Sequence, residues 1–304
     1  MNDSRPVSEP TREKVLDAVK ALNYRPRSAA RHERSGGGSI GIVIKERENP
    51  FFSEIEDGAA GEAEDAGYTI FTASSEGDFA AETKIIDNFQ RRDTDGLIIY
   101  PVMNNETDLT NLIELRRARM PFVLMEHILG VRAHTVDVNL LAASKAAVTH
   151  LIDAGHRRIV HFTGPSYSTH SDDRVAGMRH AFSESELAFN DRMVIPAGAR
   201  MEDGYRAASD YIDSVDPDER ATAATCFNDL VAIGVARALR EHGLEVPRDM
   251  SLIGCDGIDM LDYMPTPLTT IRSPRREMGA RAARILIDQI EANTQPDIRQ
   301  VSFE

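Results

Sequence analysis

Short apolar runs alternate with amphipathic segments along most of this chain of 304 residues. The run 40–44 (IGIVI) is continuous and apolar, which is typical of a strand buried on both faces of a parallel sheet. A segment with helical spacing, 51–66, follows it, and the same order of strand and helix then repeats with short loops. This alternation predicts an α/β fold in which helices cover both faces of a parallel sheet.

The alternation restarts near residue 140, so we expect two doubly wound parallel-sheet lobes. The alternation of strands and helices alone leaves open whether the final helix, 275–291, and the segment 298–303 return to the first lobe. The predicted strands are 40–44, 68–71, 96–100 and 122–125 in the first series and 159–162, 193–195, 223–227 and 251–254 in the second.

Ligands of open parallel sheets bind beyond the carboxyl ends of the strands. Two lobes whose loops face one another predict a cleft for a small molecule. The candidate loops are 45–52, 72–78, 101–105, 163–174, 228–229 and 256–258.

Charge is divided unevenly along the chain, whose net charge is −14. A glycine-rich linker, 35–39, separates a short helical N-terminal arm, 1–39, with eight basic and five acidic side chains, from a remainder that carries −17. The acidic total argues against nucleic acid as a partner, whereas the basic arm leaves DNA open. An ordinary solvated helix face would explain the arm's charge equally well.

Several classes of protein are disfavoured. There is no apolar run of membrane-spanning length, the first ten residues are polar, and only two cysteines are present, so we expect a cytoplasmic protein with no membrane contact. No phosphate loop, nucleophile elbow or metal-ligand spacing occurs, so we expect no enzyme, no cofactor and no metal. His161 and the other histidines are interpreted as surface or satisfied core residues, and Cys226 and Cys255 as buried, inert thiols.

An ordered set of motifs carries a family resemblance. Any one of them is weak, but together they cover nearly the whole chain at the expected spacings, and the chain resembles the lac repressor (LacI/GalR) family of bacterial transcription regulators. The motifs are 7–16 with 22–26, 29–31, Asn49-Pro50-Phe51-Phe52, Gly155-His156-Arg157-Arg158-Ile159, 173–178, 227–234, 246–254 and 266–271.

The resemblance implies two lobes of periplasmic-binding-protein type I. It divides the chain into a headpiece remnant and hinge, 1–39, a first lobe, 40–138 with about 272–304, and a second lobe, 139–271. Crossovers would lie near 138–141, near 269–272 and at the C-terminal end. The resemblance also implies a homodimer that binds operator DNA, with a small effector, expected to be a sugar, that changes DNA affinity. We expect such a regulator to be a repressor.

Matching motifs place candidate effector-binding residues on the cleft loops. Plain core packing would explain the two phenylalanines, a helix N-cap would explain Asp229, and a surface ion pair would explain Arg174. The effector-binding candidates are Phe51, Phe52, Asp137, Arg174, Asn228, Asp229 and Asp256.

The arm departs from the family pattern. Only six residues precede what resembles the third headpiece helix, and Glu33 stands near the position where the family's hinge carries an apolar wedge. We therefore expect weak or no specific DNA binding by residues 1–304, and a stand-alone sugar-binding protein or an α/β enzyme acting on a sugar or nucleoside stays an alternative. The hinge residues that match DNA-contacting positions are Tyr24, Arg25, Arg27, Ser28, Ala29 and Arg31.

Overall fold

A computed structural model describes residues 8, 11, 37–103, 109–128, 130–292 and 298–303. Within these residues the chain folds into two α/β lobes, each built on one parallel sheet. The two-lobe fold expected from the sequence is thus confirmed. The predicted arm helices and the six hinge residues Tyr24, Arg25, Arg27, Ser28, Ala29 and Arg31 lie outside the described residues.

The first lobe is built on a sheet with the strand order β11-β5-β4-β3-β1-β2, in which every neighbouring pair is parallel. Its strands are β1 (Gly38–Ile44), β2 (Tyr68–Ser74), β3 (Gly96–Ile99), β4 (Phe122–Leu124), β5 (His134–Val138) and β11 (Gln300–Phe303). Its helices are α1 (Pro50–Asp65), α2 (Phe79–Arg91), α3 (Thr110–Arg117) and α8 (Arg275–Glu291).

The second lobe repeats the design with the strand order β10-β9-β8-β6-β7, again all parallel. Its strands are β6 (Ile159–Thr163), β7 (Val194–Pro196), β8 (Ala223–Cys226), β9 (Ser251–Asp256) and β10 (Thr269–Arg272). Its helices are α4 (Leu140–Asp153), α5 (Thr169–Ser183), α6 (Met201–Ser214) and α7 (Asp229–Glu241).

Within the described residues the chain passes between the lobes twice. It leaves the first lobe between β5 and α4, and it returns between β10 and α8. Strand β11 then pairs with β5 in the first sheet. Both passages are only a few residues long.

Helix α8 is held on the first lobe by close packing against α1. A Cβ atom at Gly58 would lie 2.0 Å from the carbonyl oxygen of Arg276, and one at Gly279 would lie 1.9 Å from that of Ile55. Both distances are far below van der Waals contact, so only glycine permits this approach. The apolar side chains of α1 and α8 share one buried core with β1.

Three strands, β5, β10 and β11, were not predicted from the sequence, although the segment that holds β11 was one that could return to the first lobe. Strand β5 has the sequence His134-Thr135-Val136-Asp137-Val138. Because three of these residues are polar, the segment is not a continuous apolar run and gives no strand signal. Strand β10 was interpreted only as a crossover. Helices α5 and α6 begin at Thr169 and Met201, a few residues before the starts that the apolar spacing predicts, about residue 173 and residue 204.

Candidate functional site

The carboxyl ends of the strands from both lobes face one another across a cleft of about 590 Å³, which includes open solvent. Loops after β1, β4, β6, β8 and β9 supply most of its walls, as the sequence predicted for parallel sheets. The cleft is lined by Lys45, Glu46, Asn49, Phe51, Phe52, Tyr100, Glu126, Val138, Leu140, Tyr167, Ser168, His170, Arg174, Phe227, Asn228, Asp256, Ser273 and Met278.

The structure brings five of the seven effector-binding candidates to the wall of this cleft and leaves two behind it. Asp137 and Asp229 are not among the lining residues. The assignment of all seven to effector binding stays a prediction. The five lining candidates are Phe51, Phe52, Arg174, Asn228 and Asp256.

An aromatic cluster forms the first-lobe wall. Asn49 caps α1 by accepting a hydrogen bond from the backbone N–H of Phe51 at 3.0 Å, and Pro50 occupies the first helical position. This start turns Phe51 and Phe52 toward Tyr100, with edge-to-face ring centroids 6.1 and 5.0 Å away. Phe52 is buried and Phe51 is half-buried, so Phe52 belongs to the core and Phe51 presents its ring to the cleft.

Arg174 on α5 forms the opposing wall and is only 5% exposed. Its Nη1 donates to the carbonyl oxygen of His170 at 2.9 Å, its Nη2 lies 3.4 Å from Cys255 Sγ, and its guanidinium stacks 4.5 Å from the ring centre of Phe227. Its Nε is buried without a hydrogen-bond partner in the described part of the chain. The surface ion pair considered from the sequence is therefore not what the structure shows.

Asp256 ends strand β9 at the cleft in a backbone conformation that favours glycine, with φ of 124°. Asn49 donates to its carboxylate at 3.3 Å across the cleft. Burial, reinforced by the charge of nearby Asp229, raises the pKa of Asp256 to about 8. At neutral pH this carboxyl group is mainly protonated and can donate as well as accept hydrogen bonds.

The two roles considered for Asp229, capping helix α7 and lining the cleft, both belong to Asn228. The side chain of Asn228 caps α7 by accepting from the Val231 N–H at 2.8 Å, and it lines the cleft. Asp229 is fully buried and accepts from the Ile258 N–H at 2.8 Å and from the Thr270 hydroxyl at 2.6 Å. Burial raises its pKa to about 6. The capping role weighed for Asp229 therefore belongs to Asn228, and Asp229 ties α7 to β10.

A polar cluster that was not predicted from the sequence joins the two lobes. Lys45 forms a buried ion pair with Glu126 in the first lobe. Lys45 also donates to Ser168 at 3.3 Å, and Glu126 accepts from Thr169 at 3.0 Å, both in the second lobe. Lys45, Ser168 and Thr169 lie on predicted ligand loops, whereas the loop of Glu126 was not among them. Charged loop residues are too common to single out by pattern.

His170 extends this cluster to Asp137. Its Nε2 lies 2.9 Å from a carboxylate oxygen of Asp137, and its Nδ1 lies 3.6 Å from Glu126. Burial alone would raise the pKa of Asp137, but hydrogen bonds and the charge of His170 outweigh it and lower the pKa. Asp137 of the first lobe thus contacts His170 of the second lobe, and it lies behind the cleft wall.

Tyr167 links the lobes at the cleft mouth. Its hydroxyl donates to the buried carboxylate of Glu46 at 2.6 Å, and its carbonyl oxygen accepts from the Met103 N–H at 2.8 Å. Burial raises the pKa of Glu46, and the Tyr167 hydroxyl opposes that rise. An exposed ion pair between Arg200 and Glu76, 2.9 Å apart, lies beside this contact.

Cys226 and Cys255 are buried free thiols, and burial raises the pKa of both, that of Cys255 to about 11. Among the described residues no group of histidine, cysteine and carboxylate side chains could hold a metal ion. No helix in the described ranges is both long and apolar enough to cross a bilayer.

Known proteins share this architecture. A family model described as a periplasmic binding protein-like domain matches residues 148–303. Two relatives named HTH-type transcriptional repressor PurR, one from Aliivibrio fischeri and one from Photobacterium profundum, are each 32% identical to this chain. The alignments run over 293 and 295 residues and cover 96% of this chain and 86% of each relative.

Two solved structures of transcription regulators have a similar fold. The transcriptional regulator CelR–cellobiose complex has a TM-score of 0.79 at 24% identity and covers 100% of this chain and 90% of its own. A regulatory protein of the LacI family from Chloroflexus aggregans has a TM-score of 0.74 at 25% identity, with coverages of 87% and 94%. The repressors that match nearly the whole chain at 32% identity, together with the binding-domain match, show that this chain belongs to the LacI family of transcription regulators.

Proposed function

We propose that this chain is a transcriptional repressor whose affinity for operator DNA depends on a small molecule bound between the lobes. One observation carries the proposal: the cleft opposes an aromatic wall to a buried guanidinium, Arg174, that has no salt bridge within the described residues. Buried cations are ordinarily paired, so this group is suited to hydrogen-bond acceptors of a ligand.

A sugar is the effector class that these walls suit best. The Phe51 ring offers an apolar surface for the faces of a sugar ring. Arg174 and Asn49 offer donors, and the Asp256 carboxyl offers both a donor and an acceptor. The donor and acceptor atoms of sugar hydroxyl groups therefore both find partners. Since the relatives are named repressors, a regulator is favoured over an enzyme and over a stand-alone binding protein.

A thermal-shift screen tests the effector assignment, because a ligand that binds only the native state raises the melting temperature. The panel consists of mono- and disaccharides, with purine bases as a chemically different arm. We expect a sugar to raise the melting temperature of the wild type and to lose most of that effect in Arg174→Ala and Phe51→Ala, which change opposing walls of the cleft. Arg179→Ala, on the same helix but in an exposed ion pair, is the matched control and keeps the shift.

Different outcomes separate the claims. A shift that is unchanged in both Arg174→Ala and Phe51→Ala would refute the residue assignment. A shift with purine bases alone would refute the sugar class while keeping the cleft. Turnover of the bound molecule would favour the enzyme alternative.

DNA binding is tested with the basic arm in place. We expect the six hinge residues matched to the family to contribute to operator binding by a homodimer, with affinity that falls as salt rises. In a gel shift, the headpiece helices of a LacI-family relative joined to this chain should confer specific, salt-sensitive operator binding. Its absence would refute the regulator, and tight specific binding by residues 1–304 would contradict the weak binding expected of them.

A further inference from the structure

A histidine lies in the middle of the buried strand β6, beneath the effector cleft. His161 is 1% exposed, and its neighbours in the strand are apolar side chains of the second-lobe core. Burial, followed by the charge of Arg174, lowers the pKa of its imidazole to about 3. The ring is therefore neutral at physiological pH and carries one donor nitrogen and one acceptor nitrogen.

Only one of these two nitrogens has a partner. Nδ1 of His161 lies 2.9 Å from the hydroxyl oxygen of Thr225 on the neighbouring strand β8. Nε2 is buried and, within the described residues, has no hydrogen-bond partner. Such an orphaned polar atom is costly in a protein core, so the interpretation of His161 as a satisfied core residue is not supported.

Arg174 also has a buried nitrogen without a partner among the described residues. His161 and Arg174 line the same small cavity, which lies beside the effector cleft and has room for about one water molecule. The Nε of Arg174 is also buried without a partner in the described structure. Two orphaned nitrogens at one polar cavity indicate a shared binding site for a small polar molecule.

The chemistry of the pair limits the direction of the hydrogen bonds. A guanidinium only donates, so a bridging water must accept from Arg174, and the hydrogen atoms of that water then need an acceptor. A neutral histidine provides one if its proton is on Nδ1, where it is donated to the Thr225 hydroxyl. Nε2 then presents its lone pair toward the cavity. A water placed there accepts from the Arg174 Nε–H and donates to His161 Nε2.

We propose that His161 is a positioning residue for Arg174, and that its unprotonated Nε2 holds the guanidinium toward the effector cleft through one buried water. Thr225 sets the tautomer, His161 receives the water's hydrogen bond, and Nη1 of Arg174, which donates to the His170 carbonyl oxygen, keeps its second N–H for the cleft side. The consequence for effector binding rests on the proposed function of Arg174, whereas the hydrogen-bonded arrangement itself does not.

The ring tautomer is the first measurement, made on the whole 304-residue chain without any added ligand. In ¹⁵N-labelled protein at neutral pH, long-range ¹H–¹⁵N spectra distinguish a protonated from an unprotonated ring nitrogen. We expect His161 to show an unprotonated Nε2 and a protonated Nδ1. A proton on Nε2, or a charged ring, would overturn the proposal.

The second measurement follows solvent exchange of the Arg174 Nε–H, identified by its loss in Arg174→Lys. His161→Leu removes the acceptor and should speed this exchange on the order of tenfold, as expected for the loss of one hydrogen bond. His161→Gln, which retains a carbonyl acceptor, should restore slow exchange. Arg179, whose side chain is exposed on the same helix, is the internal control and should not change.

The outcomes decide the matter even if a variant folds poorly. Unchanged Arg174 exchange in folded His161→Leu would overturn the proposal. If that variant does not fold, Thr225→Val replaces it: removing the partner of Nδ1 should let the second tautomer appear, and a spectrum identical to the wild type would overturn the proposal. Because neither readout uses an effector, failure of the sugar screen leaves this test intact.

Discussion

Replacing Tyr167 by phenylalanine removes one hydroxyl group from the cleft mouth and leaves the ring in place. That hydroxyl donates to the buried carboxylate of Glu46 across the two lobes at 2.6 Å. The backbone contact of Tyr167 with the Met103 N–H is unaffected by the change. The substitution therefore isolates one hydrogen bond between the lobes.

The expected loss of stability is that of a hydrogen bond to a charged group, about 1.5–3 kcal/mol in the free energy of unfolding. Its pH dependence follows from the pKa of Glu46, which burial raises and the Tyr167 hydroxyl opposes. Without the hydroxyl, that pKa rises further. A carboxyl group with a raised pKa in the folded state loses stability as pH rises from its ordinary value through the folded-state value. The variant's deficit is thus larger at about pH 7.5 than at about pH 5.

Urea unfolding at these two pH values measures the deficit, provided that the slope of the transition is unchanged. Tyr211→Phe is the matched control, because its hydroxyl accepts from the Ala221 N–H at 2.8 Å within one lobe and meets no carboxylate in the described chain. It should cost about 1 kcal/mol at both pH values. Arg200→Ala breaks the exposed ion pair beside Tyr167 and should cost roughly 0–1 kcal/mol. A Tyr167→Phe deficit that equals the Tyr211→Phe deficit at both pH values would refute the reasoning.

Three further substitutions test the cleft walls. Phe52→Ala should lower the free energy of unfolding by about 3–5 kcal/mol because the ring is buried, whereas Phe51→Ala should cost clearly less; equal losses in calorimetry would contradict this division. Asp256→Asn should raise the melting temperature relative to wild type more at about pH 9 than at about pH 5, because the buried wild-type carboxyl, with its pKa of about 8, ionises between these values. Asparagine tolerates the positive φ of this position, so parallel pH profiles of the two proteins would refute the burial argument.

The fold was predictable because most strands here are buried on both faces. A run such as Ile40–Ile44 carries its own signal, and glycine or polar residues end each element. Strand β5 carries no such signal, since three of its five residues are polar. It is a strand because β4 and β11 pair with it on either side, which is a property of the assembled sheet and not of the segment.

The site was predictable only in part, for a related reason. Strand ends and helix starts can be found locally, which is why Phe51 and Asn228 were placed near the cleft. Lys45, Glu126 and Tyr167 each have a partner in the other lobe, more than 40 positions away in the sequence, so no local spacing records these contacts. Asp229 shows the converse, because the sequence places it on a ligand loop and packing against Thr270 removes it from the cleft wall.

The features that depart from ordinary protein design gather around one cleft. Asp256 has a backbone conformation that favours glycine, Arg174 is a buried cation without a salt bridge in the described chain, and His161 has an orphaned nitrogen beneath it. The backbone of Asp256 and the unpaired charge of Arg174 lower the stability of the protein, whereas a buried water would satisfy His161. Such costs concentrate where a fold is arranged for function, since a bound molecule can supply the missing partners. Filling the cleft should therefore stabilise this protein by more than the contacts of an ordinary surface ligand, which makes melting temperature a sensitive measure of its effector.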